Sequence, residues 1–447
     1  MAGTIGPRAF FARRALLPDG RVGRSVTIAC DDGRITQVDE GADRDSAEAL
    51  PGLVIPGLAN AHSHAFHRAL RARTEAGAGS FWAWREAMYR VAARLEPDSY
   101  LRLGRAVYAE MALAGVTAVG EFHYVHHRPS GRPYADPNAM GDAVAEAAAQ
   151  AGIRITLLDT CYLAGGFGKP LEPAQARFSD GGAAAWAERV SARRGPPHVR
   201  LGAALHSVRG VPAGQMGPVV AWAEENRAPL HFHLSEQPAE NEACLAATGR
   251  TPAALLAEHG ALGPGSTAIH ATHVTGDDVR ALGSSGTTVC LCPTTERSLA
   301  DGVGPAAALR AAGSQLALGS DSHAVIDLFE EARAVELDER LVTNERGRNR
   351  PEELLAAATS EGMRSLGWPS GALAPGMLCD LVAVDLESPR LAGYSDEEAA
   401  AHAVFAATGA DVTHVVVSGR PVVWERRHLL VEDVGAALRD SIAGVLP

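Results

Sequence analysis

Two histidines separated by one residue, His62 and His64, are the first side chains in this sequence whose spacing indicates chemistry. They end an apolar run, and in an extended chain residues two apart point to the same side. Two imidazoles that converge in this way suit a divalent metal such as Zn²⁺. Buried structural histidines or a solvated loop would give the same pair, so three interpretations stay open for the pair alone.

Other candidate metal ligands and proton carriers stand at the ends of later apolar runs. Glu236 follows a histidine by three positions, which makes it a candidate proton shuttle, and His270 is placed to stabilise or orient an attacking water. A single histidine such as His270 is more often structural, but the ordered combination favours metal-dependent hydrolysis. Asp321 is a candidate both as a ligand and as a proton acceptor. The four predicted ligands leave one position open for water; they are His62, His64, His233 and Asp321.

The elements that must position these residues are eight strand-like runs that alternate with helical patterns. The runs are short and rich in Val, Ile, Leu and Ala, as expected of strands buried on both faces. Strands that alternate with helices predict parallel βα units, and eight of them predict a closed (β/α)₈ barrel with its active site at the carboxyl ends of the strands. The runs are residues 53–64, 115–124, 153–162, 198–207, 229–236, 266–273, 286–294 and 315–323.

The two chain ends predict a second, smaller β domain. Residues 21–38 have the pattern of a hairpin around Asp32-Gly33. Residues 371–386 and 411–424 have the pattern of strands and turns. The expected organisation is a composite β-sandwich of residues 1–55 and 370–447 beside a barrel of residues 56–369.

Composition and charge exclude several classes of partner. The chain has 447 residues and a net charge of -12, and it has no long basic run, so nucleic acid is not expected. The first residues lack the apolar core of a signal peptide, and no apolar run is long enough to predict a membrane span.

The six cysteines are scattered except for Cys290 and Cys292, whose side chains should share one face of a strand as buried thiols. This cysteine usage predicts a reducing cytoplasm.

The order of the metal-ligating motifs resembles the amidohydrolase superfamily, whose members share this barrel and a flanking β domain. The resemblance covers nearly the whole chain, including "PGLANAHSH" and "GALAPGMLCDLVAVD". It implies that a metal lowers the pKa of water to ~7 for attack on the substrate. In the superfamily, binuclear members bridge two metals with a carboxylated lysine on strand four. Strand four here, "HVRLGAALHS", has no lysine, and Lys169 lies elsewhere, so one divalent metal is expected, with Zn²⁺ preferred to Fe²⁺ or Mn²⁺.

Several motifs narrow this resemblance to a branch that hydrolyses a formimino dicarboxylic amino acid and releases ammonia. They include "HSHAFHRALR", "FWAWREAMY", "EFHYVHH", "HSVRGV" and "CPTTERSLADG". Arg85 and Arg209 would bind the carboxylates, because guanidinium groups pair with carboxylates. Where the pattern of this branch has glutamine, the chain has His67, which leaves the role of that residue open. The implied substrate-binding residues are His67, Arg85, Tyr124, His206 and Arg209.

Alternatives to this interpretation remain at the level of sequence. Arg85 could be a solvated helix residue and Arg209 a structural ion-pair partner. The substrate could be a cyclic amidine such as guanine or a triazine, or the barrel could have lost catalysis and serve in assembly. His126 and His127 could bind a second metal with His123, although a polar loop is the preferred interpretation. The resemblance also implies a homodimer as one oligomeric state.

Overall fold

Short strands alternate with helices over most of this computed structural model, which describes residues 6–41, 47–74 and 81–446. The strands are β1 (Arg8–Leu16), β2 (Val22–Asp31), β3 (Arg34–Asp39), β4 (Glu48–Pro56), β5 (Leu58–Ser63), β6 (Val116–His123), β7 (Arg154–Cys161), β8 (Val199–Leu205), β9 (Leu230–Leu234), β10 (Ser266–His270), β11 (Thr288–Leu291), β12 (Leu316–Leu318), β13 (Leu381–Val384), β14 (Val412–Val417), β15 (Arg420–Trp424) and β16 (Arg427–His428).

Helices lie between the barrel strands, and further helices follow the last barrel strand towards the end of the chain. They are α1 (Phe81–Ala92), α2 (Pro97–Leu113), α3 (Ala139–Ala151), α4 (Ala183–Ser191), α5 (Ala213–Asn226), α6 (Pro238–Thr248), α7 (Pro252–Glu258), α8 (Gly276–Ser285), α9 (Pro293–Ser298), α10 (Ala306–Ala312), α11 (Leu328–Thr343), α12 (Pro351–Ala358), α13 (Ser360–Ser365), α14 (Ala399–Phe405) and α15 (Val434–Ala443). Shorter 3₁₀ helices cover Ala65–Leu70, Pro173–Phe178, Asp396–Glu398 and Gly409–Asp411. No helix in the described ranges is long and apolar enough to cross a membrane.

The eight strands β5 to β12 form a parallel sheet in which each strand lies beside the next one in the chain. The first and last strands meet beyond their ends: His64 N donates to Asp321 O at 3.3 Å, and Asp321 N donates to His62 O at 3.0 Å. Ser63 and Asp321 form a parallel bridge at this junction. Each of the eight predicted runs contains one of these strands, so the predicted (β/α)₈ barrel is confirmed.

Small and apolar side chains fill the inside of the barrel. One buried cluster joins Ala59, Ala61 and Cys290 to Leu366, which directly follows α13. At Gly120 in β6 an added Cβ would lie 2.5 Å from Leu366 Cδ2, so only glycine fits there. Because Leu366 O accepts a hydrogen bond from Thr156 near the start of β7, the α13 segment closes the amino end of the barrel. The open end is therefore the carboxyl end, where catalytic sites form in this fold.

All six cysteines are buried and free, and the predicted burial of the thiols of Cys290 and Cys292 is confirmed. Cys290 lies in β11, and Cys292 follows that strand. Both belong to the cluster inside the barrel.

Strands from both chain ends form a second, mixed sheet in the order β16-β15-β14-β13-β4-β1-β2-β3. All its neighbours are antiparallel except β1 and β4. The predicted hairpin joins β2 to β3, and Asp32 and Gly33 have φ values of 45° and 75°, as the tight hairpin turn requires. The β domain built from both ends is thus confirmed. Its bounds at residues 55 and 370 stay a prediction, and residues 1–5, 42–46 and 447 lie outside the described ranges.

A buried histidine ties the edge of this sheet to the barrel helices and makes stability depend on pH. His428 Nε2 donates to Ala151 O at 3.1 Å, while its Nδ1 accepts from Leu430 N at 3.1 Å and Val431 N at 3.0 Å. A protonated ring could not accept those two bonds. Burial lowers the pKa of His428 to about 4.

We expect the free energy of unfolding to fall as the pH falls from about 6.5 to about 4, because the unfolded chain then binds a proton that the folded His428 refuses. The His428→Gln variant should lose this contribution, so its unfolding free energy should depend on pH less steeply by up to about 1.4 kcal/mol per pH unit. Urea unfolding at several pH values measures the slope. His402→Gln is the matched control, because His402 is half-buried on α14, and the pH dependence of its unfolding free energy should match that of wild type. Equal slopes for all three proteins would contradict the prediction.

Candidate active site

Four side chains bring their donor atoms together at the carboxyl end of the barrel. His62 Nε2 lies 3.2 Å from His233 Nε2 and 3.3 Å from Asp321 Oδ1. His64 Nε2 lies 3.5 Å from the same Asp321 oxygen. Atoms that bind one metal ion at ~2.0–2.1 Å can lie at most ~4.2 Å apart, whatever the coordination number. The four predicted ligands therefore converge, and their donor set fits one divalent metal.

Two of the histidines are held in the tautomer that a metal requires. His64 Nδ1 lies 2.9 Å from Phe122 O, and His233 Nδ1 lies 2.8 Å from His206 O. Because a carbonyl oxygen only accepts, each Nδ1 carries the hydrogen and donates it. The Nε2 lone pairs are then left to face the other donor atoms, which is the usual arrangement behind metal-bound histidines.

The carboxyl group of Asp321 is ionised in this setting. Burial alone would raise its pKa, but the hydrogen bond from His62 and the nearby charge of His270 hold that pKa well below its ordinary value. An ionised carboxylate among buried imidazoles attracts a cation. The electrostatics of the cluster therefore agree with its geometry.

Glu236 and His270 lie beside these four residues. Glu236 Oε1 is 3.7 Å from His270 Nε2, and that nitrogen is 3.9 Å from Asp321 Oδ2. Burial raises the pKa of Glu236, although His270 and Arg209 lower it in part. A buried carboxyl group with a raised pKa beside a candidate metal site is suited to take up a proton from water and to release it again.

A carboxylate that was not predicted from the sequence binds the other ring nitrogen of His270. Glu296 Oε1 lies 3.2 Å from His270 Nδ1 and also accepts from Cys292 N at 2.9 Å. Burial alone would lower the pKa of His270, but Glu236, Glu296 and Asp321 together hold it well above its ordinary value. His270 can therefore carry a positive charge that stabilises negative charge on a reacting atom.

The chain is strained where it turns at these strand ends. Five residues that are not glycine have positive φ at these strand ends: Ser235 at 50°, His270 at 71°, Ala271 at 50°, Asp321 at 40° and His323 at 60°. Such conformations cost of order 1–3 kcal/mol each and persist where the surrounding structure enforces them. These turns direct the side chains of His270 and Asp321 towards the cluster, so the strained positions lie in the candidate active site.

The predicted substrate-binding residues line one pocket that also contains His64, His233, Glu236 and Asp321. His67 Nε2 lies 2.9 Å from the hydroxyl oxygen of Tyr124. Burial lowers the pKa of His67 to about 3, so its ring is neutral at neutral pH. The pocket-lining residues from the prediction are His67, Arg85, Tyr124, His206 and Arg209.

The two arginines of the pocket each have a carboxylate partner from a distant part of the chain. Arg209 Nε donates to Glu240 Oε2 at 3.2 Å, and that glutamate is buried on α6. Arg85 Nη2 donates to Glu172 Oε1 at 3.3 Å, and Arg85 Nε donates to the hydroxyl oxygen of Tyr89 at 2.5 Å. Neither arginine is simply a solvated surface residue, and both face the pocket.

Several aromatic residues of the pocket were not predicted. Tyr162 directly follows β7, so its position at the carboxyl end of a barrel strand could have indicated it. Tyr89 lies one helical turn after Arg85 on α1, a spacing that places both side chains on one face. Phe178 ends a 3₁₀ helix in the loop after β7, and no sequence signal marks it.

His126 and His127 do not join the metal cluster. His127 Nε2 lies 3.0 Å from Asp180 Oδ1, and His126 Nε2 donates to Thr160 O at 2.8 Å. Arg189 binds Asp180 as well, so the carboxylate is already neutralised by a cation. Among the described residues, the sets of donor atoms close enough for a metal do not include these two histidines. The polar-loop interpretation therefore holds, with a buried ion-pair network as its cause.

Comparison with known proteins gives matches over nearly the whole chain. The amidohydrolase family matches residues 53–422. Formimidoylglutamate deiminase of Pseudomonas aeruginosa is 39% identical over 435 residues, which cover 94% of this chain and 95% of that protein. The 8-oxoguanine deaminase of the same species is 31% identical over 83% of this chain and 84% of its own. The crystal structure of an amidohydrolase from Brucella melitensis superposes with a TM-score of 0.91 at 32% identity, covering 98% of this chain and 100% of that chain.

Proposed function

Since the chain belongs to the amidohydrolase family, we propose that it hydrolyses N-formimidoyl-L-glutamate to N-formyl-L-glutamate and ammonia. One observation carries the proposal: Arg85 and Arg209 line the same pocket as Glu236 and the metal-ligand cluster. A substrate with two carboxylates and one hydrolysable carbon needs both features in one site. The similarity to formimidoylglutamate deiminase supports the same substrate.

His62, His64, His233 and Asp321 would hold one divalent metal, which we propose is Zn²⁺. Three nitrogen ligands and one oxygen ligand suit zinc, and the described part of strand β8 offers no lysine to bridge a second ion. The metal, when bound, supplies a Lewis acid that lowers the pKa of water and polarises the reacting group.

The residues around the metal site would move the protons of the reaction. Glu236 takes a proton from the attacking water while the water oxygen bonds to the formimino carbon. Glu236 then delivers that proton to the terminal nitrogen, which becomes an amino group. The remaining hydroxyl proton passes through Asp321 to the same nitrogen while the carbonyl group of the product forms, so the carbon–nitrogen bond breaks and ammonia leaves. His270 stabilises the negative charge that develops on the oxygen, and Glu296 holds the His270 ring in place. Asp321 is a second acceptor of a proton beside its role as a ligand.

The pocket residues would bind and orient the substrate. Arg85 and Arg209 pair with its carboxylates, and the hydroxyl of Tyr124 and the rings of His67 and His206 bound the part of the pocket next to the metal ligands. His67 takes the place of the glutamine expected in this branch and serves as a neutral hydrogen-bonding group. The place of the reaction in histidine degradation and a homodimer belong to the same proposal and rest on the resemblance. A cytoplasmic location also belongs to it and rests on the free cysteines.

The test is an ammonia-release assay with formimidoyl-glutamate, formimidoyl-aspartate and guanine as substrates. We expect the highest kcat/KM with formimidoyl-glutamate. The alternative, a deaminase of cyclic amidines, is favoured by the similarity to 8-oxoguanine deaminase. Activity on guanine alone would replace the proposal by that alternative.

We expect the Arg209→Ala variant to lower kcat/KM for formimidoyl-glutamate by about ten- to a hundredfold, because a charged hydrogen bond to the substrate is worth ~1.5–3 kcal/mol. Steady-state ammonia release measures the change. The Arg209→Ala/Glu240→Ala double variant shows whether an unpaired Glu240 contributes to the loss. Arg200→Ala is the matched control, since Arg200 stacks on Trp368 near the amino end of the barrel. Wild-type kcat/KM in Arg209→Ala would show that Arg209 binds no carboxylate.

A further inference from the structure

The pocket beside the metal ligands is contracted. Its cavity volume is ≈60 Å³, whereas sites for small molecules typically hold ~300–1,000 Å³. Arg85 faces this cavity with a side chain only 13% exposed. A cation so nearly removed from water requires an anion or other polar partners close by. A carboxylate of the chain itself lies within reach of this cation.

That carboxylate is Glu172, which lies in the loop after β7 and is 87 positions from Arg85. Its side chain is 58% exposed, so it can return to water at little cost. Exposed ion pairs are worth ~0–1 kcal/mol. The contact between Arg85 and Glu172 is therefore close enough to neutralise the arginine and weak enough to be replaced.

The second arginine of the pocket, Arg209, has a buried carboxylate as its partner, whereas the partner of Arg85 is exposed. Glu240, which binds Arg209, has a side chain that is 1% exposed. If it separated from Arg209, a carboxylate would be left buried without its cation, which is far costlier than losing an exposed pair. Arg209 therefore keeps its partner when a substrate binds, and an exchange of carboxylates can occur only at Arg85.

We propose that Glu172 competes with a carboxylate of the substrate for Arg85 and is displaced from it when the substrate binds. This inference rests on the proposed function, because it requires an anionic substrate. It makes Glu172 a determinant of specificity as well as a positioning residue. A neutral cyclic amidine has no carboxylate with which to displace Glu172, so the contact lowers the affinity for such compounds relative to that for an anionic substrate.

The surroundings of Glu172 limit the exchange to its side chain. Glu172 N donates to Gln175 Oε1 at 2.7 Å, and Gln175 Nε2 donates to the hydroxyl oxygens of Tyr89 at 3.0 Å and Tyr162 at 2.8 Å. Gln175 is buried, so it fixes the backbone of Glu172 to both walls of the pocket. The exposed carboxylate can then swing away while the loop keeps its place.

The test compares Glu172→Gln with wild type in two measurements. Titration calorimetry gives the Kd of N-formyl-L-glutamate, which needs no turnover, and the ammonia assay gives kcat and KM for formimidoyl-glutamate. We expect Kd and KM to fall about two- to fivefold with kcat unchanged, the range that the loss of a competing exposed ion pair allows. In an Arg85→Ala background the same substitution should change neither constant. Glu258→Gln is the matched control, because Glu258 is also exposed and pairs with an arginine at 3.2 Å, on the outside of the barrel.

An unchanged or raised Kd in Glu172→Gln would overturn the exchange, as would the same shift in the Arg85→Ala background. Binding of N-formyl-L-glutamate to neither wild type nor variant would also overturn it. The proposed function fails separately, when wild type releases no ammonia from formimidoyl-glutamate. The calorimetric comparison still decides the role of Glu172 in that case.

Discussion

The Glu236→Gln variant is expected to keep its metal and to lose kcat by about 10²–10⁴-fold, the usual contribution of general acid–base catalysis. Glutamine has the shape of glutamate but cannot take a proton from water or return it to the leaving nitrogen. Glu236 lies 3.7 Å from His270 and beside the four predicted ligands without being one of them. Metal analysis of the purified variant and steady-state ammonia release give the two quantities.

A glutamate on the neighbouring helix provides the matched control for this loss. Glu242 lies on α6 and is exposed, so Glu242→Gln should match wild type in both measurements. Turnover like that of wild type in Glu236→Gln would remove Glu236 from the mechanism. Loss of the metal in that variant would show instead that Glu236 is a ligand.

The His233→Ala variant is expected to bind metal more than ~100-fold more weakly than wild type, and turnover should fall with it. Loss of a residue that only supports a ligand already costs ~10–100-fold in affinity. His233 faces His62 at 3.2 Å, so its removal opens the cluster at its centre. Equilibrium dialysis against Zn²⁺ measures the affinity.

Thermal unfolding gives a second readout of the same prediction. A ligand that binds only the folded state raises Tm, so a chelator should lower the Tm of wild type and leave that of His233→Ala nearly unchanged. His198→Ala is the matched control, because His198 donates to Ala145 O just before β8 begins, near the amino end of the barrel. An equal fall in Tm on chelation in wild type and His233→Ala would place the metal elsewhere.

The sequence predicted the barrel and the cluster because both depend on local patterns. A strand buried on both faces has a continuous apolar run, and polar residues in its last positions or just after it lie at the carboxyl end of the barrel. His62, His233 and Asp321 all obey this rule, and the structure brings their side chains together. The spacing of His62 and His64 also placed both rings on one side.

The partners of the site residues could not be predicted, because no local pattern connects them. Glu296 meets His270 from 26 positions away, and Glu240 meets Arg209 from 31 positions away. Each partner comes from a different loop or helix, and only the closed barrel brings it close. For the same reason no local pattern in the sequence indicates Asp180, which binds His127.

The mixed sheet built from both chain ends has a consequence for how the protein is made. Strand β4 pairs with β13, where Leu53 lies opposite Val384, so one edge of β4 has no partner in this sheet until β13 leaves the ribosome. At roughly 5–20 residues per second, translation of the intervening chain takes on the order of half a minute. During that time an apolar strand edge of the nascent chain is open to pairing with other chains. The barrel strands leave the ribosome in the order in which they pair, so the barrel can begin to form during synthesis. The mixed sheet can be completed only after its C-terminal strands have been made.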